Sequence, residues 1–443
     1  MKNWHVNKLY QSSQLINQGF AGLGKSMMWL GSAQFSGRMI RLVSSVILAR
    51  LLMPEIFGQA AIVLTLFELI CTATRRITSA ALIRMDDQTF LDHFNSANWV
   101  NIIVCIIAFL LMVAISFPLA NYYQSPQLVM PIALMATSFL FLPMGMQYAT
   151  LNLRRNNMRI VGRANLWQTL IDALLTATLA LLGFGIWAII LPKVLVIFIW
   201  IAIHRYQNPL PQTLSTSNTF RDINLVKITS LLAFGIPVSL SDLTTTLRQN
   251  IDYLLIGFFM GVETLGVYFF AYNISLGISL GLIQSFGTAF YSHLCQRSSL
   301  QRDLCAKYLS SIAAIMAITI PIILLQSLLS HWYVPMVYGD KWLATDAVSV
   351  FLFLCLSGLA RPLGEAASQL LLVNGLSQVN LKINLLLTAL YAVVISIACQ
   401  YSLVAVAQTV MVTYLITLPL VSIYSYQRVF KSTLQLSPVG ESS

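Results

Sequence analysis

Runs of about 20 apolar residues recur along the sequence, separated by short polar segments. An α-helix needs about this many residues to cross the hydrocarbon core of a bilayer, because each residue advances it by about 1.5 Å. The period-two alternation that is typical of membrane barrels is absent from the sequence. With 57% hydrophobic and 9% charged residues, the composition excludes a soluble globular domain of this size. The sequence therefore predicts an all-α polytopic membrane protein.

A central polar break divides the apolar runs into two sets. About twelve spans fit the sequence, and a stretch rich in Pro, Ser, Thr and Asn separates the first six from the last six. We therefore predict two six-helix lobes around a central cavity. The predicted units are a cytoplasmic N-terminal segment at 1–26, an N-lobe at 27–203, a cytoplasmic linker at 204–227, a C-lobe at 228–424 and a cytoplasmic tail at 425–443. We expect no cleavable signal and a retained first span, because no short apolar core with a cleavage site precedes Met27.

The basic residues predict the orientation. If both termini are cytoplasmic, only Arg50 and Lys341 of the 26 Lys and Arg residues fall outside. This asymmetry is the positive-inside pattern of a membrane protein with both termini cytoplasmic. The net charge of +11 therefore reflects orientation and does not indicate nucleic acid. We interpret the densest group mainly as a topology anchor that could also hold anionic head groups: Arg154, Arg155, Arg159 and Arg163.

The cysteines and histidines show no metal-site pattern. The six cysteines lie in or beside apolar segments without CxxC spacing, and no cluster of histidines completes a metal site. We interpret the cysteines as small apolar residues rather than disulfide partners or ligands. We accordingly expect no metal and no cofactor.

Two arginines inside the first predicted span are the strongest functional signal. Arg38 and Arg41 share one face of a helix. Each arginine costs about 2.5 to 3.5 kcal/mol to insert, whereas each large apolar residue returns only about 0.3 to 0.6 kcal/mol. That face must meet a helix-bundle interior or a water-filled cavity. Neighbouring carbonyls and carboxylates could satisfy the pair, but guanidinium forks also match phosphate oxygens. The two residues are therefore candidates for holding an anion.

Acidic residues occur in later predicted spans, namely Asp172, Asp242, Asp252 and Glu365. They could pair with basic residues across the cleft, or one helical turn away as for Arg248 with Asp252 and Arg361 with Glu365. Such a pair would need no ligand. The acids could instead couple ion movement to transport, so both roles stay open.

A short internal repeat relates the two halves. Glu55 and Glu263 are 208 residues apart, as are Gly58 and Gly266. In both places the Glu precedes the Gly by three residues, just after a long arginine-bearing helix. Both sets of spans are predicted to start on the same side, so the repeats would be related by an axis along the membrane normal.

Several segments resemble the oligosaccharide flippases of bacterial polysaccharide biosynthesis. They are GKSMMWLGSAQFSGRMIRLVSSVILARLLMPEIFGQAAIV at 24–63, SAALIR at 79–84, FGIWAI at 184–189 and IDYLLIGFFMGVETLGVYFFAYN at 251–273. Those flippases belong to the multidrug/oligosaccharidyl-lipid/polysaccharide exporter superfamily. Many of them have an aspartate-glycine step where this chain has Thr74 to Ile77, which leaves the roles of Arg75 and Arg76 open.

The resemblance implies a transporter and not an enzyme. Its members carry an undecaprenyl-pyrophosphate-linked oligosaccharide across the cytoplasmic membrane by alternating access, for lipopolysaccharide, capsule or exopolysaccharide. The expected partners are the lipid-linked oligosaccharide, the bilayer, and polysaccharide polymerase and chain-length proteins. The implied cavity cations are Arg38, Arg41, Arg248 and Arg361.

Two other functions remain as alternatives. A cation-coupled small-molecule antiporter of the same superfamily would use Asp172, Asp242 or Glu365 to couple proton or sodium movement to export. A membrane glycan polymerase or ligase would place catalytic residues on a sizeable external loop, whereas the longest predicted outside segment, 329–345, holds one His and few charges. The cationic bias argues against the export of cationic drugs but does not exclude ion coupling.

Overall fold

The computed structural model describes residues 36–434 except 38, 42, 86, 156, 208–224, 296–300, 340–341 and 343–345. Within these residues every regular element is helical. The first half of the chain forms α1 (36–51), α2 (Pro54–Arg75), α3 (Ser79–Arg84), α4 (Asp87–Tyr122), a 3-10 turn (Pro126–Leu128), α5 (Val129–Ala136), α6 (Ser138–Phe141), α7 (Pro143–Arg154), α8 (Met158–Leu181) and α9 (Trp187–Gln207). The second half forms α10 (Leu225–Met260), α11 (Val262–Cys295), α12 (Gln301–Leu328), α13 (Ser330–Tyr338), α14 (Ala347–Ser357), α15 (Arg361–Val373), α16 (Ser377–Ala398) and α17 (Leu403–Leu434).

Many of these helices are long and apolar enough to span a bilayer. In the described part of the chain eight helices meet that requirement, or nine if the bent segment Pro126–Arg154 is one span. That segment bends by 55° between α6 and α7, where Pro143 has no backbone N–H to donate. The all-α polytopic membrane fold is therefore confirmed. The total of about twelve spans and the division into lobes at 27–203 and 228–424 stay predictions.

The helices extend beyond the predicted spans at the polar segments. Helix α9 continues to Gln207 and α10 begins at Leu225, so both enter the predicted linker 204–227. Helix α17 continues to Leu434, past the predicted end at residue 424. Hydropathy locates the membrane-spanning part of a helix, but its backbone hydrogen bonds can continue into water.

Helices α2 and α11 cross with their backbones in contact. A Cβ atom added to Gly58 would lie 1.8 Å from the carbonyl oxygen of Val262, and one added to Gly266 would lie 1.8 Å from that of Pro54. Pro54 and Val262 are 208 residues apart, as are the two glycines. The contact is thus reciprocal, with each repeat placing its glycine against the other's helix start. Only glycine permits this approach, which gives the sequence repeat a structural role.

More contacts join the halves at this same end of the helices. The Arg50 guanidinium donates hydrogen bonds to the carbonyl oxygens of Met336 (2.6 Å) and Val337 (2.8 Å), in the last turn of α13. The indole N–H of Trp342 donates to the Ala49 carbonyl at 3.1 Å, and its ring stacks on Phe270 with 3.6 Å between centroids. This end, which is predicted to face outward, is therefore held closed by aromatic packing and by capped carbonyls.

A second set of contacts joins the halves at the opposite end. Arg76, just after α2, pairs with Asp242 of α10 at 3.0 Å. A Cβ atom on Gly235 of α10 would lie 1.6 Å from the carbonyl oxygen of Ile77. The turn after α2 is therefore in backbone contact with α10 near the predicted cytoplasmic surface.

We expect Gly58→Ala to destabilise the protein by about 1–3 kcal/mol, because the added methyl group forces two backbones apart. Gly277→Ala in α11 is the matched control, since a Cβ at that position meets no atom of the described residues within 4 Å beyond its own helix backbone. Thermal unfolding of the purified proteins in detergent measures both. Equal unfolding temperatures for the two variants would contradict the tight crossing.

Candidate functional site

A cavity of about 510 Å³ lies among α1, α2, α7, α8 and α9. Its lining runs from Leu153, Val161 and His204, within about a turn of the helix ends, to Asp172 and Lys193 in the middle of α8 and α9. The cavity therefore extends from one membrane surface to about mid-depth. All described residues that line it belong to the first half of the chain, whereas we expected a central cavity between the two halves. Close glycine contacts join the halves at both ends of α2, with α11 at one end and, through the turn after α2, with α10 at the other.

The deep end of the cavity holds an ion pair. The Lys193 ammonium group donates to Oδ2 of Asp172. Asp172 is 8% exposed, and its other oxygen, Oδ1, is buried without a hydrogen-bond partner among the described residues. The Lys193 side chain keeps 35% of its surface accessible, against 12% for Asp172. The lysine thus faces the open volume, and the carboxylate lies behind it.

Arg41 brings a second cation to the same part of α8. Its Nη2 lies 3.5 Å from Oγ1 of Thr169. The Thr169 hydroxyl donates its own hydrogen to the carbonyl oxygen of Asn165 at 2.8 Å, so its lone pairs can accept from the guanidinium. Thr169 precedes Asp172 by three residues, which places the heads of Arg41 and Lys193 along one helical turn.

Arg75 supplies a third cation near the end of α2. Its Nη2 lies 3.3 Å from the Cys71 sulfur, and a thiol is only a weak acceptor. Among the described residues neither Arg75 nor Arg41 lies within ion-pair distance of a carboxylate. The described lining therefore carries three fixed cations against the one carboxylate of Asp172.

The sequence of α8 accounts for its polar face. Asn165, Thr169, Asp172 and Thr176 follow one another at intervals of four and three residues, so they form one stripe on the helix. Thr169, Asp172 and Thr176 are buried, while Leu174 on another face is 57% exposed. The stripe thus faces the protein and leaves apolar side chains for the lipid.

The structure separates the four predicted cavity cations. Arg41 lines the cavity, and Arg38 lies outside the described residues. Arg248 on α10 is half-buried, and its Nε has no hydrogen-bond partner within the described chain. Arg361 begins α15, where its guanidinium lies 4.4 Å from the ring centroid of Tyr414. Neither Arg248 nor Arg361 is among the residues that line this cavity.

The predicted acids have four different environments. Asp172 pairs with Lys193, and Asp242 pairs with Arg76. Asp252 is 4% exposed and accepts hydrogen bonds from the Tyr268 hydroxyl at 2.8 Å and the Tyr253 N–H at 3.0 Å. Glu365 accepts from the Gln369 side chain at 2.7 Å. The ion pairs that spacing permits, Arg248 with Asp252 and Arg361 with Glu365, are not formed among the described residues.

Sequence reasoning missed two cations of this cavity. The role of Arg75 was open, and Lys193 was not among the predicted site residues. The available signal was a lysine in the sixth predicted span and an aspartate in the fifth, since neighbouring spans often pair their buried charges. For Arg75 the signal was weaker, because a basic residue at the end of a span also fits a topology anchor.

Loss of Lys193 should cost more stability than loss of its partner's charge. Lys193→Met leaves the buried Asp172 carboxylate unpaired, for which we expect about 3 kcal/mol of destabilisation. Asp172→Asn leaves an ammonium group that the cavity water can hydrate, for which we expect about 1 kcal/mol. Chemical unfolding of both variants in detergent measures the difference. Equal losses would show that the two charges are equally buried.

Comparisons with known proteins identify the family. Residues 47–347 match the family described as "Polysaccharide biosynthesis protein". The chain is 26% identical over 302 residues to the teichuronic acid biosynthesis protein TuaB of Bacillus subtilis, a match that covers 67% of this chain and 60% of TuaB. It is 23% identical over 370 residues to the lipopolysaccharide biosynthesis protein WzxC of Escherichia coli, covering 81% of this chain and 71% of that one.

The fold is similar to that of solved exporters. The lipid II flippase MurJ in an inward closed conformation superposes with a TM-score of 0.71 at 12% identity, covering 94% of each chain. A multidrug resistance MATE transporter superposes with a TM-score of 0.67 at 15% identity. At such identities the likeness shows the fold alone. The family match covers more than half of the sequence, and the chain is therefore a multi-pass membrane protein of the polysaccharide biosynthesis protein family.

Proposed function

We propose that the protein is a flippase that moves a polyprenyl-pyrophosphate-linked oligosaccharide across the bacterial cytoplasmic membrane for polysaccharide biosynthesis. The observation that carries the proposal is the pair of guanidinium groups, Arg41 and Arg75, that face a cavity within the spans with no described carboxylate within ion-pair distance. A cation costs several kcal/mol in the bilayer unless it is hydrated or meets an anion. A phosphate head group supplies that anion and matches the guanidinium fork.

The family supports a saccharide precursor as the cargo. Relatives TuaB and WzxC are named for the biosynthesis of teichuronic acid and lipopolysaccharide, and the fold is shared with a lipid II flippase. Lipopolysaccharide, capsule and exopolysaccharide precursors all fit this class. The proposal involves no covalent chemistry, because a carrier only has to bind the head group on one side and release it on the other.

The cavity suits a substrate with three chemically different parts. The phosphates would lie near Arg41 and Arg75, the sugars in the hydrated mouth, and the polyprenyl tail in the surrounding lipid. Arg155, Arg159 and Arg163 follow the end of α7 or lie on the first turns of α8, at the same end of the helices as the mouth. By the positive-inside rule these arginines support a cytoplasmic mouth, cytoplasmic termini and loading from the cytoplasm.

Alternating access would require the contacts between the halves to separate in turn. The Arg76–Asp242 pair is solvent-accessible, with 52% and 30% of the two side chains exposed, so it stabilises by only about 0–1 kcal/mol. Both ends have a close glycine contact, but the opposite end adds the buried stacking of Trp342 on Phe270. We expect the inner contacts to open more readily than the outer ones. Delivery to polysaccharide polymerase and chain-length proteins would follow release on the outer side.

Removal of Arg41 should impair transport without impairing folding. We expect Arg41→Ala to lower glycan export by about tenfold, and Arg41→Lys to recover only part of it, because an ammonium group lacks the bidentate fork. Lys382→Ala, which removes an exposed basic residue of α16 outside the cavity, is the control and should export normally. Glycan export by complemented deletion cells measures all three. Wild-type export by Arg41→Ala would contradict its role.

Deletion of the gene should cause a complete lipid-linked repeat unit to accumulate in the cytoplasmic leaflet. Complementation should return the unit to its normal level, because the missing step is translocation and not assembly. The distribution is measured by the accessibility of the sugar to an impermeant reagent in vesicles of known orientation. If the unit reaches the outer leaflet but is not polymerised, the polymerase alternative is correct. Unchanged glycans would instead favour a small-molecule antiporter.

A further inference from the structure

A cavity that binds an anion tightly must also release it. The lipid-linked substrate is bound on one side of the membrane and has to leave on the other, so each cation that captures the head group also delays its release. Arg41 and Lys193 at about mid-depth, together with Arg75 near the end of α2, would retain a pyrophosphate strongly. A group within the cavity that offsets this attraction would promote release.

Asp172 can offset the attraction of the cations, because it lines the cavity and bonds to Lys193. Its carboxylate lies at the deep end of the cavity, holds the Lys193 ammonium through Oδ2 and leaves Oδ1 without a hydrogen-bond partner. Thr169, one turn earlier on α8, is in contact with Arg41. A head group that reaches Arg41 is therefore also adjacent to the Lys193–Asp172 pair.

Among the side chains that line the cavity itself, leaving out the charges at its mouth and behind its wall, the charges balance only when this carboxylate is included. A pyrophosphate esterified at both ends, to the lipid and to the sugar, carries two negative charges. Arg41, Arg75 and Lys193 supply three positive charges, and Asp172 supplies the third negative one. The occupied cavity is thus neutral, whereas without Asp172 it would keep one excess positive charge that holds the anion more strongly.

We propose that Asp172 is an internal counter-ion that competes with the pyrophosphate head group for Lys193 and so promotes its release. This inference rests on the proposed flippase function. When the head group is bound, Lys193 is shared between the phosphate and Asp172. When the head group leaves, the Asp172 carboxylate again holds the ammonium alone, so the empty cavity does not keep an unpaired lysine. Asp172 acts through Lys193 and is a positioning residue.

The test separates binding from transport. Farnesyl pyrophosphate, a short water-soluble probe, is titrated against the protein in nanodiscs, and glycan export is measured in complemented deletion cells. For Asp172→Asn we expect binding to become about tenfold tighter, because a nearby negative charge is lost, and export to fall by a similar factor, because release becomes limiting. Asp172→Glu keeps the charge and should restore both values to near wild type.

Matched variants exclude a general effect of charge or of folding. Glu263→Gln removes one carboxylate from the exposed start of α11, outside the cavity, and should change neither binding nor export. Asp172→Ser is a second neutral variant for the same measurement, made in native membranes if Asp172→Asn is too unstable to purify. Inorganic pyrophosphate in place of the farnesyl ester shows whether the lipid tail contributes to the binding.

The outcomes distinguish this inference from the proposed function. Weaker binding by both neutral variants would show that Asp172 only holds Lys193 in position, which overturns the inference. Tighter binding with unchanged export would also overturn it, because release would not depend on the carboxylate. If the wild-type protein itself binds no farnesyl pyrophosphate, the proposed function fails and the inference fails with it.

Discussion

A charged side chain within the bilayer must be paired, hydrated or hydrogen-bonded, and this requirement determines where the first half of the chain leaves open space. Three cations project from α1, α2 and α9 toward one volume beside the polar stripe of α8. Apolar packing around them would leave buried cations with few partners, at a cost of several kcal/mol each. The cavity allows water or an anion to meet them instead. Its position and its binding chemistry therefore have the same physical cause.

The second half of the chain meets the same requirement by dense packing. Arg361 lies 4.4 Å from the ring of Tyr414 and 5.7 Å from that of Tyr272, a cation–π arrangement within the fold. The Asp252 carboxylate is satisfied by the Tyr268 hydroxyl and by a backbone N–H. Arg361 and Asp252 thus find partners within the protein, whereas neither Arg41 nor Arg75 lies within ion-pair distance of a described carboxylate. Arg248 of the second half is an exception, since its buried Nε has no hydrogen-bond partner within the described chain. The two halves thus share a repeat but differ in chemistry, which argues for head-group binding in the first half.

The sequence was sufficient for properties that depend on local pattern. Apolar runs predicted membrane helices, and the glycine and glutamate repeat pointed to the place where α2 and α11 cross. The sequence pattern did not predict which residues on other helices each charged side chain contacts. The spacing on one helix predicted that Arg361 could pair with Glu365. In the structure Arg361 instead lies against the rings of Tyr272 and Tyr414, which are distant in sequence. Lys193 and Arg75 were missed as cavity residues for the same reason, because the packing of several helices decides which charges meet.

The reciprocal glycine crossing also has a consequence for the origin of the chain. Identical subunits related by a two-fold axis form isologous contacts. In such a contact, residue i of the first subunit touches residue j of the second, and residue j of the first touches residue i of the second. Gly58 with Val262 and Gly266 with Pro54 make such a contact within a single polypeptide. A single half, inserted twice in the same orientation, could form it as a homodimer. The protein can therefore be regarded as a fused dimer in which one copy kept an open charged cavity while the other acquired an aromatic core. Fusion permits this divergence, because a homodimer would have to carry every substitution in both copies.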